Sequence, residues 1–198
     1  MDYFLYTTCT YIKLQFNILK TKFELLFTPS NSISQNTDDV ITPAEFPAKF
    51  KELVTWHQKL IKAVDMLEYI FTKATLYNIS ASSLMICLTL FNATIIKDTA
   101  LVLSFFVFLC VTYLQIYFLC YFGNIISDSS VGIADGVYNS KWYMMDAAIG
   151  RHLILVMMRS QKPCKLTAFG FTDIDLNVFM RILSNAWSYF ALLKTFYP

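Results

Sequence analysis

Two long stretches without a charged residue constrain the fold of this chain more than any other feature. No charge occurs in the 23 positions before Lys97 or in the 29 positions after Asp98. A helix of about 20 apolar residues crosses a bilayer, so we predict transmembrane helices at residues 76–96 and 99–122. Only Lys97 and Asp98 separate the two runs, which predicts a tight helical hairpin with its turn at one membrane face.

The composition of the chain agrees with a membrane protein. Of its 198 residues, 56% are hydrophobic and 15% are charged, which is more apolar material than a soluble domain of this size needs. We therefore predict an all-α, polytopic membrane protein with three complete transmembrane helices, the end of a fourth, and long cytoplasmic helical extensions. The end of the fourth helix, with its cytoplasmic extension, is assigned to residues 1–27, with an interfacial amphipathic helix as the alternative.

The third complete span is predicted at residues 165–196, with its helix beginning near Leu166. Polar and small residues recur there at spacings of three and four, which places them on one helical face. These residues are Asp173, Asn177, Arg181, Ser184, Ser188, Ala191 and Thr195. Asp175 points away from this polar stripe and is interpreted as a surface or capping charge. The stripe indicates either a helix that lines a water-filled pore or an interhelical hydrogen-bonding seam.

The remaining segments are predicted to lie outside the membrane. Residues 28–41 are rich in Ser, Asn, Thr and Asp and indicate a loop. Residues 42–75 are predicted to form an amphipathic helix that begins at a capping box of Thr42 and Glu45, with Pro47 as a competing start. Residues 123–162 are predicted to form cytoplasmic anchor helices. The helix of residues 42–75 carries a heptad seam, expected to pack on partners, made of Phe46, Phe50, Leu53, His57, Leu60, Val64, Leu67 and Phe71.

The distribution of basic residues predicts the orientation. If the turn at Lys97 faces outward, thirteen basic residues lie on the inner side and two, Lys97 and Lys194, on the outer side. Positive residues favour the cytoplasmic side, so the extensions are predicted to be cytoplasmic and the C-terminus external. A receptor coupled to G proteins would require the opposite orientation.

Several classes of function find no support in the sequence. The balance of 16 basic and 14 acidic residues lacks the concentrated basic patch of a nucleic-acid-binding protein. No P-loop, GxGxxG, GxSxG or HExxH motif occurs, and the five cysteines form no CxxC pair. His57 is expected to be a packed polar residue, and His152 has no ligand-spaced partner. We therefore predict no enzymatic activity, no cofactor, no metal site and no nucleic-acid partner.

The C-terminal region also carries a family resemblance. The strings RSQKPCKLTAFGF and FMRILSNAWSYFALLK closely resemble the C-terminal signature of insect odorant receptors. The resemblance lies at Arg159, Gln161, Pro163, Ala168, Gly170, Ser188, Tyr189, Phe190 and Leu192, with Tyr138 and Trp142 upstream. Gly150 departs from the pattern, because a second basic residue often stands there. Members of the family are seven-helix proteins about twice this length, so the chain resembles a C-terminal half.

The resemblance implies an odorant-gated cation channel of four subunits that assembles with the odorant receptor coreceptor in the plasma membrane, in particular the dendritic membrane of olfactory neurons. It implies a small volatile odorant or pheromone as ligand and membrane lipid as surroundings. The polar stripe predicts Asp173, Asn177, Arg181, Ser188 and Thr195 as pore residues, whereas the resemblance implies a gate at Leu192 and Phe196, which lie beside the stripe. One wall of the ligand pocket would include Met85, Phe91 and Tyr113. The subunit anchor would include Tyr138, Trp142, Arg159, Gln161 and Pro163. A gustatory-type chemoreceptor and another multi-span transporter remain alternatives.

Overall fold

The computed structural model describes residues 2–27, 46–96, 98–140, 142–144 and 147–196. Most of this part is helical. The helices are α1 (Asp2–Glu24), α2 (Phe46–Ile95), α3 (Thr99–Asn139), α4 (Ala147–Ser160) and α5 (Leu176–Phe196), with single 3-10 turns at Leu25–Phe27 and Trp142–Met144. Two short strands, β1 (Thr167–Ala168) and β2 (Thr172–Asp173), pair as an antiparallel hairpin. The predicted all-α fold class is confirmed.

The helix α2 runs without interruption through the predicted boundary between residues 42–75 and 76–96. It has 50 residues, which corresponds to a length of about 75 Å, and a bilayer core is only about 30 Å thick. No glycine or proline follows Pro47 within the helix, so nothing in the sequence ends it. Pro47 itself lies in the first turn, where its missing N–H is tolerated. The predicted capping box and the loop at residues 28–41 lie outside the described residues.

The helix α3 is also longer than the span predicted at residues 99–122. It begins after Asp98, whose Oδ1 accepts a hydrogen bond from the backbone N–H of Ala100 at 3.0 Å, and it continues to Asn139. Within the described part of the chain, α2 and α3 are the two helices that are long and apolar enough to cross a membrane. The count of three complete spans therefore stays a prediction.

The chain divides into two compact units. The described residues of 68–124 and 166–196, with Asp2, form one unit, which we call the span unit because it contains the first uncharged run and most of the second. The described residues of 3–67 and 125–165 form the other, which we call the extension unit. Residues 3–24 of α1 thus belong to the extension unit together with the first part of α2.

The extension unit has a well-packed apolar core. Its largest fully buried side chains are Phe16, Leu19, Phe23, Val64, Ile126, Ile133, Val137 and Leu153. The backbone of α1 approaches α3 closely, because a Cβ added to Gly136 would lie 2.8 Å from the carbonyl oxygen of Lys20. On α2, the seam residues Leu53, His57, Leu60 and Leu67 are buried. The seam is therefore covered within the chain, contrary to the expectation that it is available to partners.

Candidate pore helix and its supporting hairpin

The start of α5 differs from the sequence prediction. The segment from Leu166 to Asp175 is not helical: Thr167 pairs with Asp173 and Ala168 with Thr172 in the β-hairpin. The turn places Phe169 and Gly170 at positive φ values of 55° and 71°, a region that glycine enters without steric cost. The prediction that Asp173 lies on the helical stripe is therefore wrong, and the helix begins at Leu176 instead of near Leu166.

Hydrogen bonds fix the hairpin to α2 inside the span unit. Thr72 Oγ1 donates to the carbonyl oxygen of Thr167 at 3.2 Å and accepts from the N–H of Phe169 at 2.6 Å. Thr167 Oγ1 donates to Glu68 Oε1 and accepts from the N–H of Gly170 at 3.1 Å. Thr72 of α2 thus bonds to the hairpin, and Thr167 of the hairpin bonds to α2. These bonds hold the segment that leads into α5 against the side of α2.

A close backbone contact holds the same segment against α3. A Cβ added to Gly123 would lie 2.1 Å from the carbonyl oxygen of Ile174, which is far inside van der Waals contact. Only a glycine at position 123 allows α3 and the residue before the α5 cap to approach so closely. Ile174 is itself buried. The entry to α5 is consequently positioned by α2 on one side and by α3 on the other.

Asp175 is the N-cap of α5. Its Oδ1 accepts from the backbone N–H of Val178 at 2.8 Å, and its Oδ2 accepts from Asn177 Nδ2 at 3.2 Å. A carboxylate at this position satisfies one of the unpaired N–H groups at the helix start and interacts favourably with the positive end of the helix dipole. The interpretation of Asp175 as a capping charge is confirmed.

The helix α5 has a buried seam and an exposed polar stripe on opposite sides. Val178, Ile182 and Ala186, spaced four residues apart, are buried. From Asn177 onward, the predicted stripe is exposed along its whole length: Asn177, Arg181, Ser184, Ser188, Ala191 and Thr195. The predicted gate residue Leu192 lies beside the stripe and is 57% exposed. The side chain of Phe196 lies outside the described residues.

The hydroxyl groups on the stripe present acceptors to the outside. Ser188 Oγ donates to the carbonyl oxygen of Ser184, and Thr195 Oγ1 donates to that of Ala191, each at 3.0 Å. Because each hydrogen is used within the helix, the remaining lone pairs point away from it. Arg181 lies nearer the start of the helix, where its Nη2 donates to Thr172 Oγ1 at 3.4 Å. Beyond Arg181, the stripe therefore offers oxygen atoms suited to water or cations.

An open groove lies between α2 and α5 within the span unit, with a volume of about 440 Å³. It is lined by Ser80, Ser83, Leu84, Cys87, Leu88, Tyr189, Leu192 and Leu193. The predicted pocket residues do not contribute to this groove: Met85 is exposed on α2, while Phe91 on α2 and Tyr113 on α3 are half-buried. The groove was not predicted from the sequence, although the small residues Ser80 and Ser83 on α2 are a signal for a gap in helix packing.

The predicted anchor residues lie at the end of α3 and around α4, in the extension unit. Tyr138 is 65% exposed, and Gln161 and Pro163 are also exposed. Trp142 is half-buried next to Gly150, with its Cε3 3.9 Å from a Cβ added there. Arg159 Nη1 donates to the carbonyl oxygen of Lys162 at 3.1 Å, just after the end of α4. Tyr138, Gln161 and Pro163 are thus exposed to possible partners. Trp142 and Arg159 make contacts within the chain.

The buried His57 belongs to the same unit. Burial, and to a smaller extent the positive charge of Arg159, lower the pKa of His57 from 6.5 to about 4. The imidazole is therefore neutral at physiological pH, as expected for a packed polar residue. No cluster of three or more metal-ligating side chains occurs among the described residues.

Long apolar helices, charged extensions and a helix with one polar face together define a polytopic helical membrane protein. The family model described as "7tm Odorant receptor" matches residues 1–187. The chain therefore belongs to the odorant receptor family, a family of membrane receptors and not of enzymes.

Individual relatives agree with the family assignment. Odorant receptor 85b of Drosophila melanogaster is 33% identical over 146 residues, which cover 74% of this chain and 37% of the relative. Odorant receptor 67c of the same species is 26% identical over 196 residues, which cover 99% of this chain and 46% of the relative. Odorant receptor Or2 of Anopheles gambiae is 26% identical over 193 residues, which cover 97% of this chain and 50% of the relative. The chain thus spans about half the length, or less, of these relatives.

The fold resembles a solved structure. The insect olfactory receptor OR5 from Machilis hrabei, in complex with eugenol, superposes with a TM-score of 0.80 and 14% sequence identity. The match covers 94% of this chain and 45% of that receptor. A second structure of the same receptor gives a TM-score of 0.66. The chain therefore has a fold found in part of a solved insect olfactory receptor.

Proposed function

We propose that this chain forms part of an odorant-gated, cation-conducting channel subunit, in which α5 lines the pore. The exposed oxygen-bearing stripe on α5 carries this proposal, because it lies opposite the buried seam that joins the helix to its own unit. Such a stripe is costly against lipid and is satisfied when the same helix from several subunits surrounds water. Ser188 and Thr195 would contact permeating ions, with Leu192 and Phe196 as an apolar constriction.

The complete receptor would assemble with the odorant receptor coreceptor, as a tetramer, in the plasma membrane of olfactory sensory neurons. A small volatile odorant or pheromone would bind among membrane helices, and its preference for the open arrangement would shift the population toward conduction. Met85, Phe91 and Tyr113 would contribute one wall of that site. The match to the odorant receptor family model favours this function over a gustatory-type receptor or a transporter.

Cysteine modification tests the pore assignment. In the receptor that contains this chain, co-expressed with the coreceptor, Ser188→Cys should make the odorant-evoked current sensitive to a charged, water-soluble thiol reagent. Trp187→Cys is the matched control, because Trp187 is 65% exposed but lies off the stripe. Block of current in the Ser188 variant alone supports a pore-lining stripe. Equal block in both variants, or block only in the Trp187 variant, would refute this rotation of α5.

The anchor region is proposed to contact other subunits through its exposed residues, since the seam on α2 is covered within the chain. Tyr138→Asp should reduce co-purification with the coreceptor several-fold. Tyr11→Asp serves as a control in the same unit, because Tyr11 is similarly exposed, at 62% against 65% for Tyr138. If both variants co-purify normally, Tyr138 does not lie at the contact.

A further inference from the structure

Two phenylalanines are exposed at the tip of the β-hairpin. Phe169 and Phe171 are 52% and 79% exposed, and their rings stack with centroids 6.1 Å apart and planes at 23°. They flank Gly170 at the turn. Two neighbouring aromatic side chains displayed on a tightly held loop form a compact apolar projection, which is unfavourable in water.

Contacts with α2 and α3 inside the span unit fix the position of this hairpin. Its hydrogen bonds go to Glu68 and Thr72 of α2, and Lys73 is the last charged residue before the uncharged run of that helix. Ile174, which directly follows the hairpin, contacts Gly123 of α3, five residues before Asp128, which ends the second uncharged run. The hairpin therefore lies where both runs meet their charged flanks, at the level of a membrane interface.

The backbone of the hairpin is also compatible with contact to lipid. Four of its N–H groups are bonded within the unit: Phe169 to Thr72 Oγ1, Gly170 to Thr167 Oγ1, Phe171 to the carbonyl of Ala168, and Ile174 to that of Leu166. Unsatisfied backbone groups are what normally exclude irregular segments from a lipid-facing position. These four bonds, one to α2 and three within residues 166–174, thus lower this obstacle for the N–H groups.

We propose that Phe169 and Phe171 insert into the lipid at this interface and anchor the entry of α5 to the bilayer surface. Aromatic side chains are enriched at the boundary between headgroups and acyl chains, and the residues before the hairpin include the basic Lys165. The proposed partner is the lipid itself. This assignment depends on the membrane embedding of the span unit and not on conduction, so it is independent of the pore proposal.

Depth-dependent fluorescence quenching tests this anchor. The full chain is prepared with its three tryptophans replaced by phenylalanine, and Phe171→Trp is then introduced as the single fluorophore. Phe171 is chosen over Phe169 because Phe169 has a positive φ of 55°, where a new side chain could alter the turn. The protein is reconstituted in phosphatidylcholine vesicles whose lipids carry bromine either near the headgroup or near the bilayer centre.

Two control positions calibrate the measurement. Phe106→Trp lies within the uncharged run of α3 and is 63% exposed, whereas Tyr143→Trp lies in the extension unit and is 66% exposed. We expect Phe106→Trp to be quenched most by the deep bromines and Tyr143→Trp by aqueous iodide. Phe171→Trp should be quenched more strongly by the shallow bromines than by the deep ones or by iodide.

Each other outcome overturns the proposal. Quenching of Phe171→Trp mainly by iodide would show that the tip faces water. Resistance to both bromine and iodide would show that protein covers the tip, either another subunit or another segment of the receptor. Strongest quenching by the deep bromines would place the hairpin inside the bilayer core instead of at its interface.

Discussion

Replacing Gly123 by alanine should disturb the entry to α5 more than any other single methyl group added to the described glycines. The added Cβ would lie 2.1 Å from the carbonyl oxygen of Ile174, whereas carbon and oxygen in close contact are about 3.3 Å apart. The segment would have to move by about 1 Å, away from Gly123 and against its bonds to α2. Overpacking of this kind costs about 1 to 3 kcal/mol.

The matched control is Gly132→Ala, on the same helix. The nearest atom to its added Cβ is the flexible Lys20 Cδ at 3.9 Å, so no clash occurs there. Both substitutions gain the same helix propensity, about 1 kcal/mol, and the difference between the two variants therefore reports the clash alone. Gly136→Ala should also be destabilised, because its Cβ would lie 2.8 Å from the carbonyl oxygen of Lys20.

Thermal stability of the detergent-solubilised protein, read from the monodisperse fraction after heating, measures this difference. One kcal/mol corresponds to about 2 to 4 °C for a chain of this size, so a clash of about 2 kcal/mol lowers the melting temperature of Gly123→Ala by about 4 to 8 °C relative to Gly132→Ala. Gly132→Ala should equal or exceed the parent. Equal melting temperatures for the Gly123 and Gly132 variants would refute the close contact between α3 and the α5 entry.

Three further predictions use the same preparation or intact cells. Asp175→Ala should destabilise the protein by about 1 kcal/mol through loss of the N-cap, while Asp175→Asn, which can still accept the bond, should lose less; similar losses in both would indicate that charge, not capping, matters. His57→Leu should reduce the loss of stability between pH 7 and pH 5, because in the parent the unfolded imidazole binds a proton below its pKa of 6.5 while the folded one, with a pKa of about 4, does not. The exposed His152, changed to Gln, is the control, and a His57 variant as acid-sensitive as the parent would contradict this assignment. A tag placed after Pro198 should stain on unpermeabilised cells, given thirteen basic residues on one side and two on the other; staining only after permeabilisation would reverse the orientation.

The long helices were the part of the fold most accessible from the sequence. Uncharged runs of 23 and 29 residues located the apolar parts of α2 and α3. The predicted segments divide each helix at the membrane boundary, where the composition changes, whereas α2 and α3 are each continuous across that point. A change of composition does not by itself end a helix when no glycine or proline interrupts the backbone. The helix α2 has neither residue after Pro47.

The hairpin was not predicted because Asp173 continues the four-residue spacing of the polar stripe on α5. Asp173 lies four residues before Asn177, and this spacing placed it on the stripe. Local signals for the true structure were present: β-branched Thr167 and Thr172, Gly170 between them at a turn, and Asp175 immediately before the helix. A polar residue that precedes an N-cap cannot share a helical face with residues that follow it.

The groove between α2 and α5 lay beyond the reach of sequence patterns. Its two walls, Ser80–Leu88 on α2 and Tyr189–Leu193 on α5, are separated by 100 residues of chain, and their relative register depends on the hydrogen bonds of Thr72 and the contact at Gly123. Periodicity within one helix reports which residues share a face. It carries no information on the height at which two faces meet.

The polarity of α5 itself has a structural explanation. With 21 residues it is about 32 Å long, which matches a bilayer core of about 30 Å, yet it is not one of the two described helices apolar enough to cross a membrane by composition. Its buried residues Val178, Ile182 and Ala186 are apolar and pack within the chain. The low hydropathy of the helix therefore comes from its exposed side. A helix of spanning length whose polar stripe lies on a side left uncovered by its own chain fits the proposed pore wall. The cost of placing that stripe against lipid is the reason why the proposal requires neighbouring subunits.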